Sequence, residues 1–234
     1  MLEVKDLRYS YSNRLIFQDA SFTASPGKIS VILGSSGVGK TTFFRLIARF
    51  LSPAGGEILW QGKSISQKDV AYMQQKSPLL PWRTIEKNIY LISELGKQKD
   101  FSIDPEKFNE VVDSFQLREF LGCYPDQLSE GQKQRVALAC QCISSKPIVL
   151  LDEPFSSLDV ITKELLYKYV LSLATEEKKT VILVTHDFRD IIFLGDAIYL
   201  IKNHRLVPLV FDDSLRSSEN MHLLIEHIRK SILA

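Results

Sequence analysis

The sequence lacks the features that are typical of membrane-spanning, nucleic-acid-binding and repeat proteins. Among its 234 residues are three cysteines and two tryptophans, and no stretch approaches the roughly 20 consecutive apolar residues of a membrane-spanning helix. Its 29 basic and 28 acidic residues nearly cancel, so it lacks the positive excess typical of a nucleic-acid-binding domain. There is no internal repeat and no low-complexity segment. The composition therefore favours a globular protein with no nucleic-acid partner.

The cysteines and the N-terminus bear on the cellular compartment of the protein. Cys123, Cys140 and Cys142 form neither an even set nor the CxxC spacing of a zinc site, so we expect reduced thiols that pack as small hydrophobic groups. The first twelve residues lack the charged and apolar regions of a secretion signal. We expect a cytoplasmic protein.

The first sixty residues consist of short apolar runs broken by turns, which predict mainly strands. The chain length suits one domain, or one domain that carries an inserted subdomain. Helical spacing after Lys40 predicts a helix that is stopped by Pro53 and the Gly55-Gly56 pair. The candidate strands are Leu2–Leu7, Ala20–Ala24, Ile29–Leu33 and Ile58–Trp60.

Residues 78–145 have a helical pattern, which we interpret as an insertion into an α/β core. Apolar strand patterns return after Lys146 and alternate with helical stretches, which predicts a central, mainly parallel sheet. A last helix over Leu215–Leu233 has one apolar face, and its mixed charges favour packing on the core over a membrane surface. The helical patterns are Ile85–Leu95, Phe108–Phe115 and Val136–Ile143, and the later strands are Ile148–Leu151, Val181–Val184 and Ile198–Ile201.

The segment Gly34–Thr41 reads GSSGVGKT, which fits the phosphate-loop pattern G-x-x-x-x-G-K-[ST] between a predicted strand and a predicted helix. Glycines let backbone N–H groups turn inward to phosphate oxygens, and the helix N-terminus adds partial positive charge. Lys40 suits the β- and γ-phosphates, and the Thr41 hydroxyl suits Mg²⁺. Kinases, GTPases and transport ATPases share this loop. The predicted nucleotide contacts are Gly34, Ser35, Ser36, Gly37, Val38, Gly39, Lys40, Thr41 and Thr42.

Two adjacent carboxylates follow the predicted strand Ile148–Leu151. In a phosphate-loop protein, Asp152 stands where the Mg²⁺-associated acid belongs. Glu153 is one residue further, where a carboxylate can polarise the water that attacks the γ-phosphate. The alternative is a solvated pair of acids at a strand end, which the buried character of the strand disfavours.

The pentapeptide Leu128–Gln132, LSEGQ, indicates the class of nucleotide enzyme. Ser129 can cap the following helix and Gln132 completes a capping box, so a plain helix start is a full structural explanation. However, the pentapeptide lies between the phosphate loop and the acid pair, and this ordered set resembles the ATPases of the ABC family. The resemblance implies that Ser129, Gly131 and Gln132 bind the γ-phosphate held by an opposing subunit.

The resemblance covers nearly the whole chain. It implies an α/β fold with a P-loop NTPase core and a mainly parallel central sheet, an N-terminal antiparallel β subdomain and an inserted helical subdomain. It further implies adenine stacking on Tyr11, with Tyr9 as the alternative, and contact of Gln75, or else Gln74, with Mg²⁺ and the attacking water. The implied sets are Glu153, His186, Lys40 and Gln75 for catalysis, Thr41, Gln75 and Asp152 for Mg²⁺, and Asp159 for the loop that crosses a dimer interface.

Two positions depart from the family pattern. Glu130 replaces the commoner glycine of the pentapeptide and adds a negative side chain, which would have to point away from the nucleotide. The segment Cys140–Cys142 stands where relatives usually have an Arg-Ala pair, so one charged contact expected there is missing. Every implied phosphate contact is intact, and we expect hydrolysis to be retained.

The segment Pro78–Trp82 resembles the ATPase subunits of nitrate, sulfonate and taurine importers, where it opens onto the groove for the membrane subunit. Trp82 as an ordinary core aromatic is the alternative. The implied ligands are ATP and Mg²⁺, and the implied partners are a second ATPase subunit, permease subunits and, indirectly, a solute-binding protein. Such a subunit is peripheral on the inner face of the cell membrane. The other functions in play are an ABC-type ATPase that remodels DNA or ribosomes and a degenerate, binding-only subunit.

Overall fold

The computed structural model of the chain describes residues 1–76, 79–95 and 103–210, together with residues 225, 226, 228 and 230. The strands are β1 (Leu2–Tyr11), β2 (Arg14–Ala24), β3 (Ile29–Leu33), β4 (Gly55–Trp60), β5 (Lys63–Ser64), β6 (Val70–Met73), β7 (Ile148–Asp152), β8 (Thr180–Val184), β9 (Ala197–Lys202) and β10 (Arg205–Leu209). The helices are α1 (Lys40–Ile47), α2 (Ile85–Leu95), α3 (Pro105–Ser114), α4 (Glu130–Cys142), α5 (Val160–Thr175) and α6 (Phe188–Leu194).

The strands form two sheets. One has six strands in the order β10-β9-β3-β8-β7-β6, and all of its neighbouring pairs are parallel except the antiparallel hairpin of β9 and β10. The other has four antiparallel strands in the order β2-β1-β4-β5. The predicted mainly parallel central sheet and the N-terminal antiparallel β subdomain are confirmed.

The central strands β3, β7 and β8 are mainly apolar and fully buried because both faces of the sheet are covered. Successive side chains point to opposite faces. In β7, Val149 and Leu151 are buried in the cluster with α3, α4 and α5, whereas Ile148 and Leu150 are buried in the cluster with α1 and the antiparallel sheet. The side chains of β8 alternate between the same two clusters. This burial on both faces fixes the strands, and therefore the loops at their ends.

Helices α2, α3 and α4 lie in the chain between β6 and β7, which are adjacent parallel strands. The predicted helical insertion into the α/β core is therefore confirmed as a feature of the fold. The boundaries 78–145, and the division of residues 1–234 into one domain with one inserted subdomain, stay a prediction.

The first helix is shorter than predicted. It ends at Ile47 with Ala48 as its C-cap, and Arg49 takes the left-handed conformation with φ 59°. Phe50 is therefore outside the helix and exposed. The Gly55-Gly56 pair does not stop the helix but begins β4, where a Cβ on Gly56 would lie 2.4 Å from the carbonyl oxygens of Lys5 and Asp6. The glycine serves close strand approach, which the helical spacing did not indicate.

The predicted last helix Leu215–Leu233 lies outside the described residues except at four positions. All four of these are helical. Ile228 is buried in the main apolar cluster, and Lys230 pairs with Glu226 at 2.8 Å. Packing of Ile228 on the core is what the sequence predicted for this face. In the part of the chain that the structure describes, no helix has both the length and the apolar character needed to cross a membrane.

Candidate active site

The candidate site lies where four neighbouring parallel strands end. The sheet order places β3 next to β8, then β7, then β6. The carboxyl ends of parallel strands meet at one edge, which is where ligands bind in open α/β sheets. The phosphate loop follows β3, the segment Thr185–Asp187 follows β8, Glu153 follows β7 and Gln75 follows β6. The topology therefore brings together motifs that are far apart in sequence.

The phosphate loop, Gly34–Thr41, is a backbone cradle. Gly39 is the N-cap of α1 with φ 119°, and a Cβ there would lie 2.7 Å from Ile16 Cγ2. A Cβ on Gly34 would lie equally close to Val38 Cγ1. No side chain caps α1, so its first N–H groups face the loop and suit an anion. A triphosphate fits this cradle because glycine leaves the space that a Cβ would fill.

Lys40 is held at the loop by its own backbone. Its Nζ donates hydrogen bonds to the carbonyl oxygens of Gly34, at 2.8 Å, and Ser35, at 3.0 Å. Burial lowers the pKa of the Lys40 ammonium, and the carboxylates of Glu153 and Asp152 act in the opposite direction. The ammonium thus lies over the loop, within the field of both acids.

Thr41 and Asp152 form a group suited to Mg²⁺. The Thr41 hydroxyl donates to Asp152 Oδ2 at 2.9 Å. Burial raises the pKa of Asp152, and the Thr41 hydrogen bond and the Lys40 charge oppose that rise. A hydroxyl and one carboxylate are hard oxygen ligands, and Mg²⁺ commonly takes one or two carboxylates together with substrate phosphates. Among the described residues there is no cluster of three or more His, Cys, Asp and Glu side chains.

Glu153 has a strained backbone and is fixed from several sides. Its φ is 52°, unusual for a residue with a Cβ, and its N–H donates to the Val184 carbonyl at 2.9 Å. Its carboxylate accepts from Gln75 Nε2 at 3.0 Å and lies 3.5 Å from His186 Nδ1. Strain of this kind persists where surrounding contacts over-determine it, and it is concentrated at functional sites.

The hydrogen bond from Gln75 also defines the direction of its amide. Because the nitrogen donates to Glu153, the amide oxygen is left as a ligand atom. Gln75 lines the cavity beside the phosphate loop, whereas Gln74 does not. Of the two sequence alternatives, the geometry favours Gln75.

A buried polar network holds the loop of His186. The carboxylate of Asp190 is buried and accepts hydrogen bonds from the hydroxyls of Tyr167 and Thr185. Lys163 Nζ donates to Asp187 Oδ2 at 2.7 Å and lies 3.8 Å from Asp190 Oδ1. Thr185 Oγ1 in turn accepts from the Asp187 N–H at 3.0 Å. These contacts fix both neighbours of His186, whose own side chain is 74% exposed.

The signature segment, Leu128–Gln132, forms the capping box that its sequence predicts. Ser129 Oγ accepts from the Gln132 N–H at 3.3 Å, and Gln132 Oε1 accepts from the Ser129 N–H at 2.8 Å. Gly131 lies against the next motif, because a Cβ there would be 3.0 Å from the Ser157 carbonyl oxygen. The N-terminus of α4 is therefore packed on the segment that contains Ser157.

The segment Ser156–Asp159, here called the interface loop, ends at the N-cap of α5. Asp159 accepts from the Thr162 N–H at 3.0 Å and from the Thr162 hydroxyl at 2.6 Å. These hydrogen bonds hold the pKa of the Asp159 carboxyl below its usual range. Within the chain, then, Asp159 has a capping role.

Gln134 is a site residue that the motif analysis missed. It is buried in α4, and its Nε2 donates to the Glu153 carbonyl at 2.7 Å and to Ser156 Oγ at 3.1 Å. Its Oε1 accepts from the Ser157 N–H at 2.9 Å. The residue thereby ties the signature helix to Glu153 and to the interface loop. A glutamine two residues after the signature segment is visible in the sequence, but its burial and its contacts are not.

A cavity of about 500 Å³ brings together most of the predicted site residues. Tyr11 lines it, whereas Tyr9 packs edge-on against Tyr11 at a centroid distance of 5.0 Å. The predicted residues in the lining are Tyr11, Ser36, Gly37, Gly39, Lys40, Thr41, Thr42, Gln75, Asp152 and Glu153. Those that do not line it are Gly34, Ser35, Val38, Ser129, Gly131, Gln132, Asp159 and His186. His186 instead lines an adjoining cavity of about 170 Å³, which shares Glu153.

The two departures from the family pattern have local partners. Glu130 Oε1 pairs with Lys133 Nζ at 2.9 Å along the exposed side of α4. Cys140 is buried and its Sγ donates to the Asn88 carbonyl at 3.6 Å. Burial raises the pKa of both the Cys140 and the Cys142 thiol to about 12. These thiols pack in the core, as the sequence predicted.

Comparisons with known proteins agree with this geometry. The family described as ABC transporter matches residues 17–156. The formylaminopyrimidine import ATP-binding protein ThiZ of Halalkalibacterium halodurans is 35% identical over 245 residues, covering 100% of this chain and 95% of that protein. An aliphatic sulfonates import ATP-binding protein, SsuB 1 of Burkholderia lata, is 32% identical over 228 residues, covering 96% and 69%.

Among solved structures, one similar chain is an ATP-binding cassette solved as a dimer in a post-hydrolysis state with ADP and Pi. Its TM-score is 0.77 at 26% identity, with 88% of this chain and 96% of that chain covered. The chain therefore belongs to the ABC transporter family. Within that family it is an ATP-binding subunit, which binds ATP with Mg²⁺ and hydrolyses ATP.

Proposed function

We propose that two copies of this subunit close on ATP and that the hydrolysis cycle energises a solute importer. The proposed dimer is supported by the position of Ser129, Gly131 and Gln132, which do not line the phosphate cavity of their own chain. Their helix N-terminus suits an anion, and that anion has to come from another subunit. Two chains related by two-fold symmetry would complete two equivalent sites.

In this proposal each chain contributes the binding half of one site. Lys40 and the loop N–H groups bind the phosphates, and Thr41, Asp152 and the Gln75 amide oxygen hold Mg²⁺. Bound Mg²⁺ neutralises phosphate charge. Tyr11 stacks on the adenine.

Glu153 is the proposed general base. Its carboxylate accepts the proton of the attacking water, while the Gln75 hydrogen bond at 3.0 Å keeps it oriented. His186, 3.5 Å from Glu153, is the proposed γ-phosphate contact on the same side. The partner subunit supplies the signature helix N-terminus and Asp159 of the interface loop. Within each chain, Gln134 links Glu153 to that chain's own helix α4 through its 2.7 Å hydrogen bond to the Glu153 carbonyl.

The proposed contact with the permease is the turn Leu79–Thr84. Buried Asn88 fixes it, because its Oδ1 accepts from the Leu80 N–H at 2.7 Å and its Nδ2 donates to the carbonyls of Leu80, Arg83 and Thr84 at 3.0–3.2 Å. Trp82 in this turn is 71% exposed, so it is not a core aromatic. An exposed tryptophan on a rigid turn suits a protein interface. Pro78, at the start of the predicted docking segment, lies outside the described residues.

The import direction is supported by the two relatives named above, whose names state import of formylaminopyrimidine and of aliphatic sulfonates. We propose a solute of the nitrate, sulfonate or taurine type, delivered to the permease by a solute-binding protein. The subunit would then be peripheral on the inner face of the membrane. Remodelling of nucleic acids or ribosomes is not favoured by these relatives.

A transport experiment tests the importer. The gene is deleted in the source organism, and growth is measured on an alkanesulfonate or taurine as sole sulfur source, and on nitrate as sole nitrogen source. We expect one such substrate to support growth only when the wild-type gene is returned, and not when Glu153→Gln is returned. Growth on sulfate and ammonium is the control. Unimpaired growth of the deletion strain on every substrate of this class would contradict the proposed solute type.

A further inference from the structure

The tip of the first hairpin presents two side chains to the nucleotide cavity. Strands β1 and β2 pair so that Tyr11 lies directly opposite Arg14, with Ser12 and Asn13 between them. Directly opposed residues of an antiparallel pair project on the same face of the sheet. Both side chains line the cavity beside the phosphate loop. The hairpin therefore carries an aromatic ring and a guanidinium into the same cavity.

The guanidinium lies against the phosphate loop. Arg14 Nη2 donates to the Gly37 carbonyl oxygen at 2.9 Å. A Cβ on Gly37 would be 3.8 Å from the same nitrogen. Arginine has five N–H donors in a planar fork, and the one hydrogen bond that the described residues give Arg14 uses a single donor. The remaining donors are available to a ligand at the loop.

The charges of the cavity favour an anion contact by Arg14. The ionisable side chains of acids and bases in its lining are Arg14, Lys40, Asp152 and Glu153. Without Arg14, one ammonium would face two carboxylates and the phosphate chain as well. Among the described residues Arg14 has no carboxylate within ion-pair distance, so its charge is not already compensated. A guanidinium recognises phosphate oxygens through short, charge-assisted hydrogen bonds.

We propose that Arg14 is a nucleotide-binding residue, whose guanidinium contacts the phosphate chain of ATP from the hairpin side of the cavity. The residue then has two effects. It adds positive charge to the phosphate site, and its hydrogen bond to Gly37 sets the spacing between Tyr11 and the phosphate loop. The inference rests on the proposed assignment of the phosphates to the loop Gly34–Thr41.

The test compares Arg14→Gln with Arg8→Gln in the full chain. Arg8 is on β1, pairs with Asp19 at 2.6 Å and does not line the cavity, so it is a matched control. Calorimetric titration with Mg²⁺ at low salt measures the Kd of ATP, AMP and tripolyphosphate. We expect Arg14→Gln to weaken ATP and tripolyphosphate about tenfold, the loss of one hydrogen-bonded charge, and AMP much less. Arg14→Lys should recover part of the loss, and Arg8→Gln should change nothing.

Other outcomes overturn the inference. Unchanged ATP and tripolyphosphate affinity would remove Arg14 from the site. Equal weakening of ATP and AMP with unchanged tripolyphosphate binding would mean that Arg14 acts only by placing Tyr11. Lys40→Ala, measured alongside, separates this failure from failure of the loop assignment, because it should weaken tripolyphosphate binding whether or not Arg14 contributes. Thermal melts verify that each variant is folded.

Discussion

The phosphate loop and the signature segment differ in how their polar groups are used. Around the phosphate loop, side chains from separate strands converge on one cavity, with Thr41 bonded to Asp152 at 2.9 Å and Gln75 to Glu153 at 3.0 Å. In the signature segment, Ser129 and Gln132 bond only locally, at 2.8 and 3.3 Å, and neither lines that cavity. In the proposed function, one chain builds the phosphate-binding half of a site and carries the complementary half, the signature segment, on a different surface.

Gln134 links the two regions. It lies on the signature helix, yet it donates to the Glu153 carbonyl at 2.7 Å, and Glu153 lines the phosphate cavity. A partner that engages the signature end of α4 therefore acts on an element in direct contact with the proposed base.

The change Glu153→Gln separates binding from chemistry. Glutamine keeps the size of the side chain but cannot accept the proton of water, and loss of a general base slows turnover by roughly 10²–10⁴-fold, about 3–5 kcal/mol of barrier. ATP should stay bound and join two chains. With ATP and Mg²⁺ the variant should elute as a dimer in size-exclusion chromatography, while the wild type is mainly monomeric. Wild-type turnover, or a monomer with ATP bound, would refute either the base or the two-subunit site.

The change Lys40→Ala removes the ammonium group that is proposed to bind the phosphates of ATP. The Lys40 ammonium contacts only backbone carbonyls of the loop among the described residues, so the fold should be retained. Affinity for a fluorescent ATP analogue should fall roughly 10- to 100-fold, the range for hydrogen bonds to charged groups. Lys5→Ala, on an exposed lysine paired with Glu3, is the control. Unchanged affinity would show that the loop does not hold the phosphates.

A bulky cationic side chain at Ser129 should leave ATP binding by the same chain unchanged. In the isolated subunit, Ser129→Arg should leave ATP affinity within about twofold, because Ser129 does not line the cavity. Turnover, which needs the opposing subunit, should fall more than about tenfold. Combined with Glu153→Gln, it should abolish the ATP-dependent dimer. Ser129→Thr keeps a capping hydroxyl and should behave as wild type. A tenfold loss of ATP affinity in Ser129→Arg would contradict the separation of the signature segment from the ATP-binding cavity.

The change Gln134→Leu removes the hydrogen bonds that connect helix α4 with Glu153 and the interface loop. It removes three hydrogen bonds and leaves the Glu153 carbonyl and the Ser157 N–H without this partner, at a cost of about 1–3 kcal/mol in free energy of unfolding. Turnover should fall several-fold while ATP affinity is maintained. Urea denaturation and single-turnover hydrolysis are the measurements, with Gln141→Leu, on the same helix but outside the phosphate cavity, as the comparison. Equal loss of affinity and turnover would mean that Gln134 supports the phosphate cavity itself.

The change Trp82→Ala should have the smallest effect on the isolated subunit. The side chain is 71% exposed and the turn is held by Asn88, so basal hydrolysis should stay within about twofold. Co-purification with the permease should decrease. Phe193→Ala, another exposed aromatic, is the control. Normal complex yield and normal transport would remove Trp82 from the docking surface.

Much of the site was predictable because its signals are local in sequence. The phosphate loop needs glycines, a lysine and a hydroxyl at fixed spacing. Gly39 shows the physical reason: its φ is 119°, and a Cβ there would lie 2.7 Å from Ile16 Cγ2. The strands β3 and β7 were predictable because a sheet covered on both faces requires continuous apolar runs. The capping box at Ser129 was equally visible in four letters.

Other features were not predictable because they depend on tertiary packing or on a single backbone conformation. Gln134, Arg14 and Asn88 each form hydrogen bonds to residues that packing brings close, across 19, 23 and 8 positions of sequence. Strand β10 contains Pro208, β5 is two residues long, and the early end of α1 depends on the left-handed turn at Arg49.

The class of chemistry was predictable from the sequence alone, because phosphate binding depends on one continuous loop whose backbone N–H groups suit phosphate oxygens. The choice between paired candidates, Gln75 or Gln74 and Tyr11 or Tyr9, required the tertiary structure, because only the folded chain shows which side chain lines the cavity. Tyr9 and Tyr11 are two residues apart on one strand, so strand alternation does not distinguish them. The tertiary structure also shows that the signature segment lies outside the cavity of its own chain. Distance between motifs in space follows from sheet order, and local sequence patterns do not specify that order.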